Sequence, residues 1–252
     1  VCELMGMSAL RATDVNHSLE LLQPRGGEIG PHADGWGVAF YEGRAARIFK
    51  EPIPACDSRC LSFIASHSYQ SSVVVSHIRK ANPARFGRSS ANTHPFCREL
   101  GGRSWVFAHN GKLPGIERSR FNPRRFQPIG DTDSERAFCF LMDQVAAHWS
   151  GGAAPLPDRM AGWLADPIAA LSELGILNML LSDGDNLLVF ANERLHCLHR
   201  DCDEGGQEQH VLMLATQPLT SEPWRPLDLG VVHVARGGRF VLPEVELAAA
   251  AR

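Results

Sequence analysis

The sequence predicts an α+β fold of layered, largely antiparallel sheets covered by helices. Nine short segments rich in β-branched and aromatic residues read as strands, and four longer ones read as helices. Their order groups the strands instead of alternating single strands with single helices, so a doubly wound parallel sheet is not expected.

In chain order, a helix is expected over Asp14–Leu22, then strands over Gly37–Tyr41 and Ala46–Phe49. A second helix over Ser58–Ser66 precedes the strand Val73–Ile78, which opens on three valines, and the strand Trp105–His109. The third helix, Ser134–His148, has Asp131, Thr132 or Asp133 available as its cap. A fourth, Ala161–Leu174, leads into the strands Leu177–Leu181, Leu187–Ala191, Val211–Ala215, Val231–Val234 and Phe240–Leu242. Gly26-Gly27, Pro31, Gly101-Gly102, Gly151-Gly152 and Gly205-Gly206 punctuate the chain without any repeat or low-complexity linker, so one domain over residues 1–252 is expected.

Bulk composition narrows the function. A formal charge of -3 provides no broad basic field for nucleic acid or an anionic membrane. Hydrophobic residues make up 44% and charged residues 21%, ordinary values for a globular chain, and no apolar run approaches the roughly 20 residues of a membrane-spanning helix. Val1-Cys2-Glu3-Leu4-Met5-Gly6-Met7-Ser8 lacks the basic and apolar regions of a secretory signal, so a cytoplasmic location is expected. Seven cysteines, an odd number, fit reduced thiols better than a disulfide framework.

Chemistry concentrates in five places. A cysteine that becomes the first residue carries its thiol beside a free α-amine of pKa ~7.7–8.0, and the nucleophile then has its own base. A lone Cys2 is more simply a buried structural thiol on an N-terminal strand. Arg79 ends the apolar strand at Ser76-His77-Ile78-Arg79, where a guanidinium fork can hold a carboxylate. His94 stands in Asn92-Thr93-His94-Pro95-Phe96. His109-Asn110-Gly111 places a side-chain amide next to a backbone N–H, as an oxyanion hole requires. Asp133, in Asp131-Thr132-Asp133-Ser134-Glu135, can cap a helix or hold an ammonium group. Each piece has a plain structural explanation: a surface ion pair, a satisfied core histidine, a turn, a helix cap. Together they supply what is needed to bind an α-amino acid head group and attack a distal amide.

The order of Cys2, Asp34-Gly35-Trp36-Gly37, Ser76-His77-Ile78-Arg79, Thr93-His94-Pro95-Phe96, His109-Asn110-Gly111 and Thr132-Asp133-Ser134-Glu135 resembles the class II glutamine amidotransferases of the N-terminal-nucleophile superfamily, in particular their small stand-alone bacterial members. The similarity extends through residues 31–43, 175–184 and 215–219. The resemblance implies a four-layer αββα sandwich of two stacked antiparallel sheets, Ntn-hydrolase-like. It implies Cys2 as nucleophile, its α-amine as base, and Asn110 with the Gly111 N–H as oxyanion donors. Arg79 would take the substrate α-carboxylate and Asp133 its α-ammonium, with His94 and the Trp36-Gly37 backbone lining the pocket. The substrate would be glutamine or a γ-glutamyl compound, passing through a γ-glutamyl thioester; no cofactor and no metal are implied.

Two departures from the family qualify this expectation. Val1 stands where these proteins carry Met before the cysteine, and a retained Val1 would acylate the amine that must act as base. Only three of the 25 basic residues are lysine, leaving 22 arginines, the bias of a GC-rich genome in which Val1 could be a GUG start codon read as Met. The second departure is that no synthase segment follows, so an ammonia acceptor would be a separate protein, or the chain would hydrolyse a γ-glutamyl conjugate, as some relatives do in thiol metabolism. A binding module that has lost its chemistry is least expected, because Cys2, Arg79, Asn110, Gly111 and Asp133 are all present.

Three segments are assigned no role. Residues 196–202 (HCLHRDC) hold potential zinc ligands, but alternation along a strand would send adjacent ligands to opposite faces. Cys56 and Cys60 read as a loop-to-helix junction, and the arginine-rich stretch Arg118 to Arg125 as a solvated loop.

Overall fold

The computed structural model describes residues 2–80, 87–203 and 206–242 and the backbone of Val245–Glu246. Two seven-stranded sheets form within these residues. The first runs in the order β11 (Arg225–Pro226), β9 (His196–Asp203), β10 (Glu208–Ala215), β1 (Glu3–Thr13), β4 (Ser71–Ile78), β2 (Trp36–Glu42), β3 (Ala45–Glu51). In the second, β13 (Arg239–Phe240), β12 (Val231–Arg236), β8 (Leu187–Ala191), β7 (Ile176–Ser182), β6 (Arg103–Lys112) and β5 (Phe96–Leu100) follow one another, and β14 (Val245–Glu246) also pairs with β12. Every pairing is antiparallel.

The period-two alternation of the strands produces three apolar layers. On β6, Trp105 and Phe107 join a cluster with Phe138, Leu141 and Val145 of α3 (Asp133–His148) and Met160, Leu164 and Ile168 of α4 (Pro157–Ser172). Val106 and Ala108, between them, face the other way into a layer with Leu4, Val75, Leu180 and Leu214. Met5, Met7, Val74 and Val38 form the third layer with Leu19 and Leu22 of α1 (Asn16–Leu22) and Leu61 and Ile64 of α2 (Arg59–Ala65). The result is the expected αββα sandwich. Full burial of each such side chain contributes about 1.5–3 kcal/mol, and the stacked rings of Phe107 and Phe138, 5.2 Å apart, lock α3 onto the second sheet.

Helix ends follow local chemistry. Ser58 caps α2 by accepting from the Leu61 N–H at 2.9 Å. Thr132, one of the three expected candidates, caps α3 by accepting from the Glu135 N–H at 3.2 Å. The fourth helix begins at Pro157, four residues before its expected start, because proline at the first helical position has no N–H to leave unpaired.

Beyond the two-residue β11 and β14, three strands had no counterpart in the sequence expectations: β1, β5 and β9. The first, ELMGMSALRAT, contains no valine, isoleucine or aromatic residue, and its extended form comes from pairing with β10 on one side and β4 on the other. The expected strand Phe240–Leu242 is corrected to the two-residue β13 (Arg239–Phe240), which pairs with Arg236 and Ala235 of β12, while the Val241 N–H donates to the Val234 carbonyl at 2.9 Å.

Candidate active site

The central position of β1 determines where Cys2 lies. The Thr216 N–H donates to the Leu4 carbonyl at 3.0 Å, and Thr216 Oγ1 accepts from the Leu4 N–H at 3.1 Å and donates to Glu3 Oε2 at 3.0 Å. Arg25 closes this anchor, 3.6 Å from Glu3 and 2.8 Å from the Pro218 carbonyl. In the β1/β4 register Glu3 faces Ile78, so Cys2 meets the residues that leave β4. The Lys80 N–H donates to Cys2 Sγ at 3.2 Å, and the thiol lies 3.6 Å from the Lys80 carbonyl. Burial pushes the Cys2 thiol up, against the opposing pull of the Lys80 N–H and the Arg79 charge. The resting sulfur is therefore a thiol that needs a base.

A cavity of about 460 Å³ opens in front of Cys2. Arg79, His94, Gly111 and Asp133 line it, together with His77, His109, the segment Lys112 to Glu117, and Gly130 to Ser134. The fold thus brings together five of the expected residues: Cys2, Arg79, His94, Gly111 and Asp133. Asn110 sits immediately behind them, 1% exposed, and its Nδ2 donates to the Cys2 carbonyl at 2.5 Å. That bond requires the amide nitrogen on this side, and the second amide hydrogen remains for another acceptor.

Trp36 and Gly37 are not brought to the cavity wall. The Trp36 ring is buried in the helix-facing layer of the first sheet. Gly37 lies under the loop that carries His94, where a Cβ would stand 2.2 Å from the His94 carbonyl oxygen. Its contribution is to let that loop approach, because any side chain there would push His94 away. Gly111 is as constrained: a Cβ would fall 1.9 Å from the Ile176 carbonyl oxygen.

Arg79 extends the sheet beyond β4, its N–H donating to Gly35 and its carbonyl accepting from Asp34. Arg79 is 4% exposed and, among the described residues, its side-chain hydrogen bond goes to a neutral carbonyl, that of Asp34, at 3.4 Å. Burial lowers its pKa, with Asp34 and Cys2 opposing. Across the cavity, Asp133 Oδ2 accepts from the Leu113 N–H and Oδ1 from the Ser134 N–H, each at 2.8 Å. Ser134 Oγ also donates to Oδ1 at 3.3 Å, so a free lone pair remains on Oδ2, and these bonds tie the Leu113 segment to the start of α3. Glu135 fixes the adjoining loop by accepting from Gly130 N at 2.7 Å while paired with Arg98 at 2.6 Å.

Three histidines that the sequence expectations did not use, or used only in part, complete the wall. The rings of His77 and His94 lie 4.2 Å apart, and none of their four nitrogens has a hydrogen-bond partner of good geometry. Burial drives His77 down to about 3 and His94 well below its usual value, so both are neutral. His109, also lowered by burial, bonds Ser134 Oγ at 2.9 Å and the Ile176 carbonyl at 3.0 Å. His77 and His109 sit inside the motifs already singled out, but their burial could not be read there. Asn178 had a signal, a single amide within the apolar run Ile176 to Leu181.

The unassigned segments behave otherwise. Residues 196–202 lie on β9, with Cys197 buried and His199 and Cys202 exposed. Among the described residues, no three histidine, cysteine or acidic side chains converge as metal ligands. The arginine-rich stretch is a surface loop whose Arg124, Arg125 and Phe126 N–H groups donate to Asp143. No helix among the described residues is long and apolar enough to cross a membrane.

Comparison with known proteins places the chain in a class. The family model for class II glutamine amidotransferases matches residues 1–250, and the chain belongs to that family. It is 38% identical to the Escherichia coli (strain K12) protein named "Putative glutamine amidotransferase YafJ", an alignment covering 90% of this chain and 94% of that one. A Haemophilus influenzae protein of similar name is 32% identical over 91% of this chain and 82% of its own. Among solved structures, a glutamine amidotransferase of Pseudomonas aeruginosa PA01, assigned as such by prediction, superposes with a TM-score of 0.72 at 33% identity, over 96% of this chain and all of its own. The glutamine phosphoribosylpyrophosphate amidotransferase of B. subtilis shares the fold at 15% identity and a TM-score of 0.64, over 98% of this chain and 49% of its own.

Proposed function

We propose that the chain cleaves the side-chain amide of glutamine or a γ-glutamyl compound, with Cys2 as an N-terminal nucleophile. The observation that carries this reading is the single cavity shared by the Cys2 thiol, the Arg79 guanidinium and the Asp133 carboxylate, with the Asn110 amide against Cys2. A substrate α-carboxylate meets Arg79 and its α-ammonium meets Asp133, which directs the γ-amide toward sulfur.

With residue 1 removed, the free α-amine of Cys2 takes the thiol proton as sulfur bonds to the amide carbon. The carbonyl electrons move to oxygen, where the second hydrogen of Asn110 Nδ2 and the Gly111 N–H stabilise the charge. Collapse breaks the C–N bond, and the proton on the α-amine passes to the leaving nitrogen, releasing ammonia or an amine. Water then attacks the γ-glutamyl thioester and restores the thiol. No cofactor or metal takes part in this scheme, and the reducing cytoplasm suits the seven free thiols.

A second reading within the same chemistry is favoured by the size of the cavity. At about 460 Å³ it falls in the ~300–1,000 Å³ range of pockets for drug-sized ligands, and it continues along Lys112 to Glu117 and Arg136. A group larger than hydrogen on the amide nitrogen fits there, as in a γ-glutamyl conjugate. A glutaminase that passes ammonia to a separate protein would turn over poorly when isolated. Purified protein with a free Cys2 N-terminus, offered glutamine and a panel of γ-glutamyl amides and peptides, tests these readings. Release of glutamate from at least one member is expected; no turnover and no Cys2 adduct with any member would reject the proposal.

A further inference from the structure

The planar trans peptide joining Asn110 to Gly111 carries the Asn110 carbonyl on one edge and the Gly111 N–H on the other. The Asn178 side chain holds that carbonyl: its Nδ2 donates to the Asn110 oxygen at 2.9 Å. Asn178 is 0% exposed, and its Oδ1 is held in turn by the N–H groups of Glu193 at 3.2 Å and Arg194 at 3.1 Å. Both ends of the side-chain amide are thus fixed, so it cannot turn without leaving buried polar groups unpaired. The strand β5 pairs with β6 only from Arg103 to Phe107. On the edge facing away from β7, the Asn110–Gly111 peptide therefore has no β5 partner, and Gly111 borders the cavity.

We propose that Asn178 is a positioning residue for the reaction, which fixes the plane of the Asn110–Gly111 peptide and thereby aims and polarises the Gly111 N–H at the developing oxyanion. The inference rests on the reading above, in which that N–H is an oxyanion donor. A hydrogen bond to a carbonyl draws density from its own amide, so the N–H on the opposite edge becomes a stronger donor. Because the oxyanion forms only during reaction, the effect belongs to the maximal rate and not to substrate binding.

The test is Asn178→Asp on the full chain with a free Cys2 N-terminus, assayed with whichever γ-glutamyl substrate the wild type turns over. Aspartate keeps an oxygen for Glu193 and Arg194 but, when ionised, cannot donate to Asn110. The expected loss in kcat is about 10-fold or more, below the ~100–1,000-fold typical of deleting a donor outright, with KM within about 2-fold of wild type. Protonation of the buried carboxyl restores a donor, so the ratio of variant to wild-type kcat should rise as pH falls, which a purely structural defect would not produce. Asn192→Ala is the control: Asn192 ties the start of β7 through the Leu177 N–H and the Gly175 carbonyl without touching Asn110, so it should lower stability and leave kcat unchanged. If Asn178→Asp does not fold, Asn178→Ser, whose hydroxyl is too short to reach Asn110, gives the same kinetic test. An unchanged kcat, or a loss confined to KM, in a folded variant of an active wild type overturns the positioning role alone. A wild type that neither turns over nor forms a Cys2 adduct with any member of the panel overturns the underlying reading with it.

Discussion

The two poles of the cavity are built differently. At the reacting pole, Cys2 flanks β1, the central strand of the first sheet, and Asn110 lies on β6, next to the edge strand of the second, with its side chain buried against Cys2. At the opposite pole, Arg79 sits just beyond the end of β4, and Asp133 at the first turn of a helix reached through a long irregular segment. On the proposed reading, reaction geometry is set by sheet register, which changes only in whole residues, while substrate grip is set by loops held through side-chain bonds such as Glu135 to Gly130. Substitutions at the first pole should cost rate, and those at the second should cost selectivity and affinity.

The largest such difference is expected from Asn110→Ala. Losing one oxyanion donor should lower kcat by about 100–1,000-fold, or ~2.7–4 kcal/mol, with little change in KM. Steady-state kinetics decide this, and an unchanged kcat with raised KM would move Asn110 to the gripping pole.

A smaller and different effect is expected for Arg79→Lys and Asp133→Asn. The first keeps charge but loses the planar fork; the second keeps size but loses charge. Both should raise KM with a partial loss of rate from misplaced substrate. Wild type should discriminate strongly against a glutamine lacking its α-amine, and Asp133→Asn much less. Full discrimination in that variant would reduce Asp133 to the tie between Leu113 and α3 seen in the structure, since Thr132 already caps the helix.

A further effect is on stability and comes from the neutral histidines of the cavity wall. An unfolded histidine titrates near ~6.5, whereas His77 in the fold is pushed down to about 3, and His94 and His109 are also lowered. The unfolded chain therefore binds more protons in this window. Their contribution is complete above about 6.5 and is lost as pH falls toward about 3. Denaturant midpoints should decline across that range, and less steeply for His77→Asn; a flat profile would mean that these rings are not held neutral.

The same division explains what the sequence disclosed. The residues proposed to grip substrate and the proposed nucleophile sit in short motifs whose side-chain chemistry is legible without a fold: a guanidinium ending an apolar strand, an acid opening a helix. Layered antiparallel sheets were legible because segments such as Val73 to Ile78 and Trp105 to His109 are rich in β-branched and aromatic residues, whereas the αββα sandwich followed only from the family resemblance. The support for the reacting pole was not legible. Nothing in Glu3 to Thr13 marks a central strand, because its pairing comes from β4 and β10, far along the chain. The Trp36-Gly37 backbone was expected to line the pocket through its motif, yet neither residue borders the cavity. Asn178 was visible as a polar interruption, but its partner, the Asn110 carbonyl, is known only from the β6/β7 register.

The central claim, an activated thiol at Cys2, is tested most directly by a glutamine-like electrophile followed by mass mapping of all seven cysteines. With a free Cys2 N-terminus, Cys2 should be modified while the other six stay mostly unlabelled, protection by substrate should be complete, and Cys2→Ala should fold normally yet take up no label and show no turnover. Labelling spread evenly over the thiols, or wild-type turnover in Cys2→Ala, would contradict the account.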